Sequence, residues 1–266
     1  MTELSPQTDS VDWSAEGSSV LSELPADARC CLFIDVDGTL LDIAPAPDEV
    51  QVPPELPQLL QQLSGSLDGA LALISGRSIA TLDKLFAPLQ LPAAGVHGSE
   101  RRGADGRIAR SDQVTHQLEW ARETLAALLA SRSDLLLEDK VTALALHFRK
   151  APQAREFAEL AVAKVMTRLT PEFNLLEGDK VLEIKPASRN KATAINAFMQ
   201  EAPFAGRTAI FIGDDVTDFD GFAAVRQLGG IDIAVGDRVS ARWHLSGPAA
   251  VRQWLRRLAD RLSARK

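Results

Sequence analysis

Four short runs in this chain contain almost nothing polar: Cys30 to Ile34, Ala70 to Ile74, Ala209 to Ile212 and Ile231 to Val235. A strand with one face in water alternates apolar and polar side chains, whereas a strand covered on both faces reads as a continuous apolar run. Segments of helical periodicity separate these runs, so they predict an α/β fold built on a mostly parallel sheet. The first three runs end at polar residues: Asp35, Ser75, and Gly213 followed by Asp214. Ligands of open α/β sheets collect beyond the carboxyl ends of the strands, which makes those residues the first place to look for a site.

Between about 107 and 186 the pattern changes. Leu135 to Glu138, Ala143 to Phe148, Phe173 to Leu176 and Val181 to Ile184 read as strands with two helices between them. Leu118, Ala121, Leu125 and Leu128 keep helical spacing, as do Phe157, Leu160, Ala161, Val165 and Leu169, and all are expected in a core. Residues 107–186 are therefore expected to form an inserted α+β domain, with 28–106 and 187–266 forming one core domain around it. Residues 1–27 are polar and aperiodic, and are expected to be a mobile tail to which no function is assigned. Helices are expected at Asn190 to Met199 and along the stripe Val251, Trp254, Leu255, Leu258 and Leu262. Arg252, Arg256, Arg257 and Arg261 lie mostly off that stripe and read as a solvated face.

The chain has 266 residues, with 29 Lys plus Arg against 36 Asp plus Glu. A mildly acidic protein has no general attraction for nucleic acid or anionic lipid, while a bound metal and a few lysines still admit a small anionic substrate. No apolar run approaches the ~20 residues of a membrane span. Cys30 and Cys31 sit side by side in an apolar run, where they read as small buried hydrophobes of a reducing compartment. These features place the protein in the cytoplasm, with a monomer favoured and no nucleic-acid or membrane partner expected.

The most specific signal is DVDGTL, Asp35 to Leu40, directly after an apolar run. Such a string is expected by chance in roughly one chain in two thousand of this length. An ionised Asp attacks phosphorus once a divalent cation offsets its repulsion from the phosphoryl oxygens, which suits Asp35. Asp37 can protonate the leaving alcohol and then deprotonate the water that hydrolyses a phospho-aspartate. Gly38 permits a tight backbone path, and Thr39 can donate a hydrogen bond to the transferring group. Magnesium requires further oxygen ligands, and GDDVTDFDGF at Gly213 to Phe222 supplies Asp214 directly and Asp218 directly or through water. Asp215 and Asp220 read as an outer partner and a solvated acid. Ser75, in the string SGR, can bond a phosphoryl oxygen or cap a helix. Lys191 can hold positive charge against Asp35 or simply face solvent in a first helical turn.

Asp-x-Asp, then Ser, then Lys, then an Asp pair, in that order, resemble the four motifs of the haloacid dehalogenase superfamily. The resemblance implies a Rossmann-like core, a cap inserted between the Ser and Lys motifs, Mg2+ held by Asp35, Asp37, Asp214 and Asp218, and an aspartyl-phosphate intermediate. ALISGR, GVHGSERR at Gly95 to Arg102, LEDKVTALALHFR at Leu137 to Arg149, VLEIKP at Val181 to Pro186 and GDDVTD are similar to the trehalose-6-phosphate phosphatase family. That narrower resemblance implies substrate contacts from Glu138, Lys140, His147 and Glu183, with Gly76, Arg77 and His97 beside the cleft. Arg149 and Glu100 can pair with the latter or stabilise loops. Read singly, Glu138 and Lys140 are also a plausible surface pair, His147 a core histidine and Glu183 a solvent-facing strand residue. Phe219 stands where the family commonly has an acid, and Phe148 where it often has a phenol. The expected reaction is hydrolysis of trehalose 6-phosphate, the alternative another sugar phosphate such as sucrose 6-phosphate. A signalling receiver domain uses similar groups, but an acid at Asp37 and a sugar lid would work against a long-lived phosphoryl switch.

Overall fold

The computed structural model describes residues 29–44, 49–110, 115–169, 171–178 and 180–264; the segment 1–27 lies outside them. Along the chain come β1 (Cys30–Ile34), α1 (Leu56–Ser66), β2 (Leu71–Ile74), α2 (Ile79–Leu85), β3 (Ala93–Gly95), β4 (Glu100–Arg102) and β5 (Ile108–Arg110). A second group follows: α3 (Thr115–Leu128), β6 (Leu136–Asp139), β7 (Leu144–His147), α4 (Arg155–Leu169), β8 (Phe173–Gly178) and β9 (Val181–Pro186). The chain then continues through α5 (Lys191–Phe198), β10 (Thr208–Gly213), α6 (Phe219–Gln227), β11 (Ile231–Val235), β12 (Trp243–Leu245) and α7 (Pro248–Ser263).

The large sheet has eight strands in the order β12-β11-β10-β1-β2-β3-β4-β5. The pairs from β12 to β3 are parallel, and β4 and β5 add an antiparallel edge. β1 pairs with β2 on one side and with the much later β10 on the other, so the strand order reverses at β1 and opens a crevice there. Ile34 is in register with Leu73 and with Ile212, which brings the carboxyl ends of β1, β2 and β10 level. The apolar runs are buried along their whole length because helices cover both faces. α5 starts at a capping box in which the Asn190 side chain accepts from the Thr193 amide, and α7 presents Val251, Trp254, Leu255, Leu258 and Leu262 to the same core.

The smaller sheet is antiparallel, in the order β6-β7-β9-β8. Its period-2 alternation splits two functions between two faces. Leu144, Leu146, Leu182 and Ile184 point to one side, where Leu118, Ala121 and Leu125 of α3 and Val162 and Val165 of α4 complete a second hydrophobic core. Glu138, Ala145 and Glu183, which are register partners across the sheet, point to the other.

Two differences from the sequence reading stand out. β5 belongs to the large sheet, so the chain leaves that sheet after Arg110 rather than at 107. Leu160, expected in the core, is 66% exposed. The buried stripe of α4 runs through Ala158, Ala161, Val162, Val165 and Leu169, and Leu160 falls on the opposite side at 100° per residue. Cys30 and Cys31 are buried free thiols, and burial pushes the Cys31 thiol up to about 12. Among the described residues no helix is long and apolar enough to cross a membrane. Arg252 of α7 donates to the Leu40 carbonyl and pairs with Asp42, so that part of the basic face is tied to the loop after β1.

Candidate active site

The reversal of strand order at β1 determines what meets there. The Asp35 amide donates to the Ile212 carbonyl, which fixes the Asp35 carboxyl group just beyond the sheet. Lys191, in the first turn of α5, is buried and donates to Asp35 Oδ1 at 2.7 Å and to Asp218 Oδ1 at 2.5 Å. Asp218 lies in the one-turn 3-10 helix Val216–Asp218 that follows β10, and its Oδ2 accepts from the Asp214 and Asp215 amides at 3.0 Å. Thr39 donates to Asp214 Oδ1 at 2.9 Å. A Cβ on Gly38, whose φ is +84°, would lie 2.2 Å from Asp214 Oδ2, so only glycine lets the Asp214 carboxylate come this close to the loop after β1.

Asp35, Asp214 and Asp218 each place a carboxylate oxygen within 4.8 Å of the others. Burial pushes Asp35 well above the usual range, Lys191 pulls it down, and Asp218 and Asp214 push it up again. Burial also pushes Asp214 up to about 6, against the Thr39 hydrogen bond. Lys191 is held above its ordinary value because Asp218 and Asp35 outweigh its burial. Three buried carboxylates facing one ammonium leave the cluster short of positive charge. The donors are all hard oxygens, a set that suits a hard divalent cation.

Two sequence expectations meet a different geometry. Asp37, read as a fourth metal ligand, is not brought into the cluster: its carboxylate takes two hydrogen bonds from Arg77, at 2.7 and 2.8 Å, toward the cleft. Thr39, read as a donor to the phosphoryl group, is fully buried and directed at Asp214. Ser75 directly follows β2, is buried, and accepts from the Arg77 amide at 3.1 Å. Gly76 leaves room for the His97 imidazole, since a Cβ there would lie 2.8 Å from His97 Nε2.

The antiparallel sheet faces this cluster. Lys140, in the turn between β6 and β7, donates to the Gly76 carbonyl at 2.9 Å and to Glu183 Oε2 at 3.0 Å. His97, held at φ +52°, reaches the same oxygen at 3.4 Å, and burial lowers its pKa against the pull of Glu183. Glu183 Oε1 is buried with no described partner. His147 and Glu138 pair at 2.8 Å; burial opposes ionisation of Glu138, but His147 and Lys140 outweigh it and lower its pKa. Arg149 donates to the Ala44 carbonyl, whereas Glu100 accepts from the Ile79 amide and pairs with Arg110, a structural duty away from the cleft. Phe219 is about half exposed and packs edge-on to Phe222.

Glu183 provides a pH test. Burial alone would raise its pKa, but the charges of Lys140 and His97 prevail and hold it at about 2, from an ordinary value of 4.5. A depressed acid contributes stability that is present above pH 4.5 and is lost as pH falls toward 2. In chemical-denaturation series from pH 6 to pH 2, Glu183→Gln is expected to be less stable at pH 6. It should also lose about 3 kcal/mol less than the parent on acidification. Parallel pH curves for the two proteins would show that Glu183 carries no such charge.

A cleft of about 790 Å³ lies between the two sheets, lined by Asp35, Asp37, Ser75, Gly76, Arg77, His97, Glu138, Lys140, His147, Glu183, Lys191 and Asp214. Thr39 and Asp218, both buried, brace it through Asp214 and Lys191. The sequence reading missed Arg238, just beyond β11, and the exposed aliphatic rim of Ile43 and Leu136. The position of Arg238 after an apolar strand, at the same sheet edge as Asp35 and Asp214, was the available signal.

The family model described as trehalose-phosphatase matches residues 33–253. A probable trehalose-phosphate phosphatase of Sinorhizobium fredii is 45% identical over 229 residues, covering 86% of each chain. Trehalose-6-phosphate phosphatase of Escherichia coli is 43% identical over 251 residues, covering 92% of this chain and 93% of its own. The C-terminal domain of Candida albicans trehalose-6-phosphate phosphatase superposes with a TM-score of 0.74 at 20% identity, covering 94% of this chain and 97% of that one. The matched span runs from β1 into α7 and takes in the acid cluster, Ser75, Lys191 and the antiparallel sheet, so the chain belongs to the trehalose-phosphatase family.

Proposed function

We propose that the protein hydrolyses trehalose 6-phosphate to trehalose and inorganic phosphate through a phospho-aspartate at Asp35. One observation carries this reading: a phosphoryl-transfer set at the end of a parallel sheet shares a single cleft with a row of sugar-directed polar groups on the sheet opposite. The chain between Arg110 and Pro186 acts as a cap over a core formed by the segments on either side of it. Asp35 and Asp214 would hold Mg2+, which would supply positive charge against the phosphoryl oxygens when bound. Asp218, both of whose oxygens are already engaged, orients Lys191 and the Asp214 loop.

In the first half-reaction an Asp35 oxygen bonds to phosphorus as the bond to the sugar oxygen breaks, and Asp37 gives that oxygen its proton. In the second, Asp37 takes a proton from water as the water attacks phosphorus, which restores the Asp35 carboxylate. Lys191 and Ser75 hold phosphoryl oxygens, and Thr39 keeps Asp214 in place. The Arg77 pair must open for Asp37 to reach the sugar oxygen. Lys140, Glu183, Glu138, His147, His97 and Arg77 meet the hydroxyls of the disaccharide with donors and acceptors of both charges. A monomer is the proposed working state. The buried thiols and the net charge of -7 support a reducing cytoplasm and no nucleic-acid partner.

Phosphate release from trehalose 6-phosphate, sucrose 6-phosphate and glucose 6-phosphate tests the reading. The first is expected to lead in kcat/KM by roughly tenfold or more, because a site that pairs many hydroxyls rejects a ligand that leaves them unmatched. Excess chelator should abolish release and added Mg2+ restore it. A larger kcat/KM for sucrose 6-phosphate would transfer the assignment to that substrate.

A further inference from the structure

Most cations of the cleft are already committed. Arg77 is bound to Asp37, Lys140 to Glu183 and the Gly76 carbonyl, and Lys191 to Asp35 and Asp218. Arg238 is different. It stands just beyond β11 at the sheet edge that carries Asp35 and Asp214, its side chain is 48% exposed, and it lines the cleft. Its described partners are two carboxylates, Asp214 Oδ2 and Asp215 Oδ1, each 4.0 Å from Nη1 and beyond hydrogen-bonding distance. Asp214 Oδ2 is the oxygen that Thr39 leaves open, and it is therefore the one a metal ion would take.

A guanidinium at that place faces two ligands with opposite demands. It partly neutralises Asp214 and Asp215, which lowers their attraction for a divalent cation and repels the cation directly. An anionic phosphoryl group arriving over the same carboxylates meets a planar donor with hydrogen bonds to spare. Lys191 is buried within the cluster, whereas the Arg238 side chain is half exposed to solvent.

On the reading of Asp35 and Asp214 given above, we propose that Arg238 is a further phosphate-binding residue of this site, one that strengthens the hold on phosphate and weakens that on the divalent cation. The effect is confined to the mouth of the cleft, because Arg238 makes no hydrogen bond to the described residues that build the cluster.

The experiment uses the full chain and two variants, Arg238→Gln and Arg238→Lys. Mg2+ binding to metal-stripped protein is measured by calorimetry, inhibition by inorganic phosphate by competition, and kcat and KM on trehalose 6-phosphate. Arg238→Gln is expected to bind Mg2+ about fivefold more tightly and inorganic phosphate about fivefold more weakly, the upper range for an exposed charge pair, with the kinetic loss read in KM more than in kcat. Arg238→Lys should recover most of both shifts. Unchanged or weaker Mg2+ binding by Arg238→Gln would overturn the proposal, as would an unchanged phosphate inhibition constant. A parent protein that binds Mg2+ yet releases no phosphate from any sugar phosphate would instead refute the assigned reaction, and the Mg2+ comparison would still judge Arg238.

Discussion

Asp35→Asn is expected to lower turnover at least ~10⁴-fold while leaving the fold intact, because on the proposed reading it removes both the attacking oxygen and the charge of a metal ligand. The amide is nearly isosteric with the carboxylate, and the backbone amide that pins residue 35 to the Ile212 carbonyl is untouched. Electrostatics favour the folded variant. Burial already pushes Asp35 toward its neutral form, with Asp218 and Asp214 adding to the push after Lys191 opposes it, so a neutral Asn relieves a crowded cluster. Thermal melts in excess chelator should therefore place the variant within a few degrees of the parent. The rise in Tm that Mg2+ gives the parent should shrink in the variant, since one of the two proposed ligands has lost its charge. Phosphate release at a rate close to the parent's would show that some other group attacks phosphorus.

Lys191→Met is expected to fail in both stability and activity. Lys191 is buried and offsets two buried carboxylates at 2.7 and 2.5 Å. Deleting one partner of such a network leaves uncompensated charge away from water, at a cost of about 3–5 kcal/mol. For a chain of this size that is roughly a 10 °C fall in Tm. Turnover should fall by about 10³-fold, because in the proposed reaction the ammonium also stabilises charge on the transferring group. The double variant Lys191→Met with Asp218→Asn separates the two roles: it removes one of the two orphaned carboxylates, the other, Asp35, being already pushed toward its neutral form by burial, so it should recover much of the stability and none of the activity. If the double variant melts as low as the single one, the ion pair is not what stabilises this part of the fold.

The large sheet could be read from the sequence because its central strands are buried on both faces and carry uninterrupted apolar runs, as at Cys30–Ile34 and Ile231–Val235. The strands that escaped notice, Ala93–Gly95, Glu100–Arg102, Ile108–Arg110 and Trp243–Leu245, are three residues each, and Ile108–Arg110 is exposed throughout. Three residues are too few for a period-2 pattern to emerge from the background. Leu160 was misplaced for a related reason: α4 offers apolar residues on more than one side, and only packing against β8 and β9 decides which stripe is buried.

The same division runs through the site. The string DVDGTL, the hydroxyl of Ser75, Lys191 and the acids after Ile212 were sufficient by themselves to name a chemistry, because nucleophile, acid, cation and metal ligands require particular functional groups at the ends of buried strands. Which oxygen does what was a matter for the tertiary structure. Asp37 faces Arg77 rather than the cluster, Thr39 braces Asp214, both Asp218 oxygens are engaged, and Arg238 arrives from a loop with no motif of its own. Composition and order along a chain specify which groups are present, but direction and partner depend on side chains that are close in space and distant in sequence, such as Lys191 and Asp35.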